Sequence, residues 1–194
     1  MARSLLPPPR LPEHAVLPGE RRHWLLRIGG LTVAGLALRP MLADALPSGS
    51  PVPELALRTD AGETSLAERR GRVIWLDFWA SWCAPCRRAF PWMQAMHGRY
   101  AAHGLDVVAV NLDTKPEPAR RFLADHPVGF TIAFDASGES ARRFGVRAMP
   151  TSVLIGTDGR VISTHAGFRD EDREVLEATL RRALHERGTL PGQT

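Results

Sequence analysis

The chain has 194 residues, 44% of them hydrophobic, and a formal net charge of +4 at pH 7. Most of this charge lies at the front, because residues 1–45 hold six arginines against three acids, whereas residues 46–194 hold 19 basic and 18 acidic side chains. The larger, nearly neutral part has no basic stripe and no recognition motif, which argues against nucleic acid as a partner. Its length suits one domain with its own core.

The front of the chain has the pattern of an export signal. Arg21 and Arg22 precede a mostly apolar stretch at 24–38, and Ala43-Asp44-Ala45 has the small-residue spacing of a cleavage site. The surroundings of the two arginines partly match a twin-arginine signal. We therefore expect residues 1–45 to direct export by the Tat or the Sec route. The alternative is an uncleaved membrane anchor, although the apolar stretch is shorter than the roughly twenty residues that a span requires.

This interpretation divides the rest of the chain into three parts. Residues 46–51 are predicted as a linker, 52–187 as a folded domain and 188–194 as a flexible tail. The protein would then work in the periplasm or another extracytoplasmic space and contact the membrane only through its signal or anchor. In an oxidising compartment, a reactive cysteine pair needs a dedicated electron donor to stay reduced.

Within the domain, apolar periodicity predicts strands that alternate with helices. In chain order the predicted elements are a strand at 52–58 with a short second strand after it, a central strand at 72–79, a helix at 84–102, a strand at 106–111, a helix at 117–125, a strand at 130–134, a short helix near 140–144, strands at 152–156 and 160–165, and a terminal helix at 170–186. Asp158-Gly159 between two apolar runs is a strong hairpin signal. This order predicts an α/β sandwich with a mixed sheet.

Cys83 and Cys86 are the only cysteines, and they lie where the central strand meets the long helix. Unpaired N–H groups and the helix dipole favour a thiolate at a helix N-terminus, so we predict Cys83 as the nucleophile. Cys86 lies one turn further along and can resolve the mixed disulfide that Cys83 forms. The spacing therefore indicates thiol-disulfide chemistry.

Three alternative roles for the two cysteines remain open: half of a zinc site, a structural disulfide and a pair of inert buried thiols. Structural zinc needs four ligands, and the chain has no second cysteine pair, so we assign no metal. A disulfide that closes so short a loop would constrain the unfolded chain little. The strand-then-helix context favours the redox interpretation.

Asp77 interrupts the apolar strand at 72–79. A buried carboxyl has a raised pKa, and such a group can pass a proton to or from Cys86. We therefore predict Asp77 as a proton relay. The alternative is that Asp77 faces solvent at a strand edge, because a strand can expose alternate residues.

The residues around the cysteines resemble the thioredoxin superfamily. Trp82-Cys83-Ala84-Pro85-Cys86 follows the strand, and Met149-Pro150-Thr151 lies further along the chain. Over most of residues 52–187 the chain is most similar to TlpA/ResA-type thiol-disulfide oxidoreductases, also called redoxin-domain proteins. Many of these carry asparagine where this chain has Asp77, and glutamate where it has Ala89, so the acid is at a different position here.

The resemblance implies a thioredoxin fold, with a mixed central sheet flanked by helices and a short N-terminal β extension. It also implies a cis Met149–Pro150 bond that faces the cysteines, although an isolated X-Pro bond is mostly trans. Substrate-binding residues are then Trp82, Pro85, Met149 and Pro150, with Trp79 in the core.

The expected function is that of an exported enzyme, without cofactor or metal, that reduces protein disulfides. We expect a monomer with a membrane thiol reductase as its electron donor. The resemblance implies clients in cytochrome c maturation or copper-site assembly. Two alternatives share the same motifs: an oxidant that forms disulfides, and a redox-inert chaperone that holds extended chains beside Pro150.

Overall fold

The structure, a computed structural model, describes residues 45–186, so the predicted export signal up to residue 44 and the predicted tail lie outside the described residues. The strands are β1 Ala56–Thr59, β2 Gly62–Ser65, β3 Val73–Trp79, β4 Leu105–Asn111, β5 Thr131–Phe134, β6 Thr151–Ile155 and β7 Val161–Ala166. The α-helices are α1 Ala84–Tyr100, α2 Pro116–Asp125, α3 Glu139–Arg143 and α4 Arg173–Glu186. Short 3-10 helices span Ala67–Arg69, Ala101–His103 and Asp170–Asp172.

The seven strands form one mixed sheet in the order β2-β1-β5-β4-β3-β6-β7. β3 lies inside the sheet, parallel to β4 on one side and antiparallel to β6 on the other. All seven of its residues are buried, as expected for a strand that has neighbours at both edges and is covered on both faces. The predicted α/β architecture with a short N-terminal β extension is confirmed.

The side chains of β3 alternate between two hydrophobic cores. Trp75 and Trp79 belong to the core that also holds the buried residues of α1, α2 and α4, and we call this side of the sheet the α1 face. Leu76 and Phe78 belong to the core on the opposite side, which is closed by α3 and the N-terminal extension. Because successive side chains of a strand point to opposite faces, Asp77 points to the α1 face together with the two tryptophans.

Several predicted boundaries are shifted. The first strand begins at Ala56 instead of residue 52, and the terminal α-helix begins at Arg173 after a short 3-10 segment. α1 ends at Tyr100 and continues as a 3-10 turn up to Gly104, whose φ of +94° is the left-handed conformation that glycine adopts readily. Propensity and periodicity locate such elements but do not resolve how their ends are capped.

The segment predicted as a linker, 46–51, is hydrogen-bonded to the edge of the sheet. The Gly49 N–H donates to the carbonyl of Val161 at 2.7 Å, and the Val161 N–H donates to the carbonyl of Ser50 at 2.9 Å. β7 is the outer strand of the sheet, and its unpaired backbone groups accept such a partner. The proline-rich composition of this segment predicts irregular backbone, which is compatible with these contacts.

The hairpin between β6 and β7 is confirmed. Its turn is closed by the Gly159 N–H, which donates to the carbonyl of Gly156 at 3.0 Å, and Gly159 has a φ of +77°. The side chain of Asp158 accepts from the Arg160 N–H at 3.0 Å. Among residues 45–186, no helix has the length and apolar character needed to cross a bilayer.

Candidate active site

Cys83 and Cys86 are joined by a disulfide with their Cα atoms 5.3 Å apart. Cys83 is the N-cap of α1, and its Sγ accepts a hydrogen bond from the Cys86 N–H at 3.3 Å. Pro85 lies in the first turn of the helix, where a missing N–H costs no helical hydrogen bond. The structure is therefore that of the oxidised pair, with the first sulfur at the helix N-terminus.

The first turn of α1 favours a negative charge on Cys83. It contains no acidic residue, and the Cys86 N–H already points to the sulfur. The dipole of a helix and its unpaired N–H groups lower a thiol pKa at this position. Arg87 and Arg88, which follow Cys86 on α1, are exposed.

The two tryptophans near the cysteines have different environments. Trp79 is fully buried, and its ring lies 4.6 Å from that of Phe90 in an edge-on arrangement. Trp82 is 71% exposed, although the neighbouring Cys83 is only 5% exposed. The first residue belongs to the core, as predicted, and the second is an apolar surface directly beside the nucleophile.

The Met149–Pro150 peptide bond is cis. Met149 is half-buried and packs against the hydrophobic core that contains both cysteines. The neighbouring carbonyl groups have partners in the domain: that of Ala148 accepts from the Thr151 hydroxyl at 2.7 Å, and that of Pro150 accepts from the Gly167 N–H at 2.8 Å. The fold thus brings the cis bond to the same core as the cysteine pair, 63 residues after Cys86.

Asp77 is fully buried in the middle of the sheet. The Ser152 hydroxyl donates to its Oδ1 at 2.6 Å, whereas Oδ2 makes no hydrogen bond with any residue that the structure describes. Burial raises the pKa of Asp77 to about 7, and the Ser152 hydrogen bond opposes this rise. The alternative of a solvent-facing aspartate at a strand edge is wrong, because β3 is an inner strand.

A second buried carboxylate, Asp113, holds the loop that leads to the cysteines. Its two oxygens accept from the Ser81 N–H at 3.3 and 3.1 Å, and the Asn111 side-chain amide donates to it at 2.9 Å. Sequence reasoning assigned no role to Asp113 or to Ser152. The available signals were that Asp113 is an acid two residues after the end of the buried strand β4, and that Ser152 is a polar residue inside the buried strand β6.

Comparison with known proteins agrees with this geometry. Residues 47–180 match the Redoxin family model. Thiol-disulfide oxidoreductase ResA of Bacillus thuringiensis subsp. konkukian is 32% identical over 117 residues, which cover 60% of this chain and 66%, just under two thirds, of that relative. ResA of Bacillus subtilis is 27% identical over 160 residues, covering 78% of this chain and 89% of the relative.

A solved structure gives the same result at higher identity. The crystal structure of a Chlorobium tepidum protein assigned as thiol:disulfide interchange protein DsbE is 48% identical, with a TM-score of 0.71. The match covers 72% of this chain and 99% of that one. The chain belongs to the redoxin family, among the TlpA/ResA-type thiol-disulfide oxidoreductases of the thioredoxin superfamily.

Proposed function

We propose that this protein is an exported enzyme that reduces disulfides in other proteins. The observation that carries the proposal is a cysteine pair at the N-terminus of α1, preceded by a strand whose buried carboxyl, Asp77, has a pKa of about 7. A thiolate nucleophile, a resolving thiol and a group that exchanges a proton near neutral pH are the parts that disulfide exchange needs.

The reaction begins from the reduced pair. The Cys83 thiolate attacks one sulfur of the client disulfide, forms a mixed disulfide and releases the other client sulfur as a thiolate. Cys86 then loses its proton and attacks the Cys83 sulfur. The Cys83–Cys86 disulfide forms, the second client sulfur leaves as a thiolate, and both client thiolates take up protons according to their pKa values. Two electrons pass from the pair to the client.

Asp77 serves the second step. The carboxylate accepts the Cys86 proton as the thiol becomes a nucleophile, and it later gives up that proton. A general base works best when its pKa lies near the working pH, and burial raises the pKa of Asp77 to about 7. The side chain lies on the α1 face, which is also the face that buries Cys86.

The client chain binds beside the Cys83 end of α1, where Trp82 is exposed. We assign the apolar contact to Trp82 and Pro85, and backbone pairing to Met149, whose neighbours Ala148 and Pro150 already use their carbonyl groups within the domain. Backbone hydrogen bonds to Met149 would align an extended client segment without selecting its sequence.

Residues 1–45 direct export in this proposal, through the Tat or Sec route or as an anchor. A membrane thiol reductase returns two electrons to the Cys83–Cys86 disulfide in the extracytoplasmic space, which keeps the enzyme reduced. Suitable clients are proteins whose own cysteines must be reduced before they bind a group, such as apocytochrome c or copper-site proteins. The enzyme acts as a monomer.

The reduction potential of the Cys83–Cys86 pair tests the direction of the reaction. We expect a value near or below about −270 mV, as for thioredoxin, when the protein is equilibrated with glutathione or a reference thioredoxin and the two redox forms are separated. A value near about −120 mV would instead identify a disulfide-forming oxidant.

Asp77→Asn tests the proton relay. Because the amide cannot take the Cys86 proton, release of the client from the mixed disulfide should slow by about tenfold to a hundredfold at pH 7, at or below the lower end of general base effects. The first step, attack by Cys83, should keep its rate. Stopped-flow kinetics separate attack by Cys83 from release of the client. They should be measured between about pH 5 and pH 9, a range that brackets the pKa of Asp77.

The matched control for this variant is Asp106→Asn. Asp106 lies near the start of β4, three residues before Ala109, the β4 partner of Asp77. Its carboxylate forms an ion pair with Arg69 at 2.6 Å, so loss of this charge should leave both steps unchanged. Equal client-release rates in wild type and Asp77→Asn across the pH range would refute the relay.

A further inference from the structure

Of the two residues that pair with Asp77 on the neighbouring strands, one has a polar side chain. On β4 the residue paired with Asp77 is Ala109, which has no polar side-chain atom, and on β6 it is Ser152. Ser152 is 6% exposed, and its hydroxyl lies 2.6 Å from Asp77 Oδ1. The carboxyl is thus held by a single side chain of the described residues, which comes from the strand that follows the cis bond.

This contact makes the two carboxyl oxygens different. Oδ1 accepts the only hydrogen of the serine hydroxyl, so the negative charge is favoured there. Oδ2 is buried and makes no hydrogen bond with any described residue. A proton that reaches Asp77 is therefore best placed on Oδ2, while Oδ1 keeps its partner.

Among the described residues, no charged or titratable group on the α1 face hydrogen-bonds to Asp77 in place of Ser152. Cys86 on α1 is the proposed proton donor, and His165 on β7 lies across from Ser152, with its Nε2 3.5 Å from Asp172. The residues that α4 buries against this core are apolar: Leu176, Leu180, Ala183 and Leu184. Two effects shift the pKa of Asp77, burial upward and the Ser152 hydrogen bond downward.

We infer that Ser152 is a positioning residue for the proton step: its hydroxyl holds Oδ1 of Asp77 and leaves Oδ2 to exchange the proton with Cys86. This inference rests on the proposed relay role of Asp77. Ser152 itself touches neither the client nor the reacting sulfurs in this assignment. It acts through the carboxylate alone.

Ser152→Ala, with Ser152→Thr as the conservative variant, tests the inference on the full-length protein. Loss of a hydrogen bond to a charged group should raise the pKa of Asp77 by about one unit. The midpoint of the pH profile for client release should therefore move up by about one pH unit, and the rate at pH 7 should fall about fivefold because less carboxylate remains. Threonine retains the hydroxyl and should restore both values.

A second readout does not depend on turnover. The infrared carbonyl band of protonated Asp77, identified by its loss in Asp77→Asn, should titrate about one unit higher in Ser152→Ala than in wild type. In the double variant Asp77→Asn/Ser152→Ala, the serine change should have no additional effect on client release, because the group it acts on is gone.

The outcomes separate the two proposals. A lower stability of Ser152→Ala with an unchanged midpoint and an unchanged infrared titration would show a structural role only and overturn the inference. Failure of Ser152→Thr to restore the midpoint would also overturn it. If Asp77→Asn itself leaves client release unaffected, the proposed relay fails, whatever the serine variants do.

Discussion

Cys83→Ser is expected to abolish disulfide reduction, whereas Cys86→Ser is expected to stop the reaction after its first step. Cys83 is the sulfur at the N-terminus of α1, where the Cys86 N–H and the helix dipole favour the thiolate. A serine hydroxyl at the same place stays protonated and cannot attack a disulfide. We expect the loss in turnover to be on the order of 10³ or more, as for other enzymes that lose a covalent nucleophile.

The two serine variants differ in what accumulates. Cys86→Ser retains the nucleophile but lacks the resolving thiol, so it should collect as a mixed disulfide with its client, visible by mass spectrometry and released by added thiol. Cys83→Ser should form no such adduct, because Cys86 is fully buried. Accumulation of the adduct in Cys83→Ser would reverse the assigned roles.

The double Cys→Ser variant distinguishes an enzyme from a chaperone. Client binding and cellular function that survive without either thiol would favour the redox-inert chaperone over both enzyme interpretations. Loss of function together with loss of turnover supports the enzyme.

The cis Met149–Pro150 bond was expected from the family resemblance, whereas the parts of the site that residue patterns alone predicted are those that neighbours in the chain determine. β3 is a seven-residue buried run, so its place inside the sheet follows from its apolar length, and the burial of Asp77 follows from β3. Cys83 and Cys86 lie one helical turn apart directly after this strand, so their position at the start of α1 is a local consequence. Local pattern was sufficient for both.

The partners that were missed come from distant parts of the chain. Ser152 lies 75 residues after Asp77, and the two meet because β3 and β6 pair in one particular antiparallel register. Asp113 contacts the Ser81 backbone 32 residues away for the same kind of reason. The segment at 46–51 pairs with β7 through backbone groups, which side-chain composition does not reveal. Strand order and register decide these contacts, and a single sequence specifies them only through the whole fold.

Asp77→Asn is expected to stabilise the oxidised protein at neutral and higher pH while it slows the enzyme. The pKa of Asp77 is about 7 in the folded protein, against 3.8 for an ordinary aspartate. Between pH 3.8 and about pH 7, Asp77 therefore keeps its proton in the folded state when it has lost it in the unfolded chain, so the free energy of unfolding falls as pH rises through this window. The contribution of Asp77 to stability is fully present below pH 3.8 and is lost above about pH 7.

The size of this effect follows from the shift of about three pKa units, which corresponds to about 4 kcal/mol as an upper estimate. Asparagine has no charge to bury and can still accept a hydrogen bond from the Ser152 hydroxyl. The free energy of unfolding of the variant should therefore depend less on pH, and it should be about 2 to 4 kcal/mol higher than that of wild type at pH 8. Urea unfolding with the disulfide intact, at several pH values from 4 to 8, gives the free energy of unfolding of wild type and of Asp77→Asn as a function of pH. Asp106→Asn is the control, and it should gain no stability as pH rises.

Parallel curves for wild type and Asp77→Asn would contradict this prediction. They would mean that the folded protein and the unfolded chain bind the Asp77 proton equally, so that the carboxyl has the pKa of an ordinary aspartate. Such a carboxylate is a weak base at neutral pH and would take the Cys86 proton poorly, because a general base works best when its pKa lies near the working pH. The cost of ionising Asp77 inside the fold and its ability to accept that proton are therefore two consequences of the same burial.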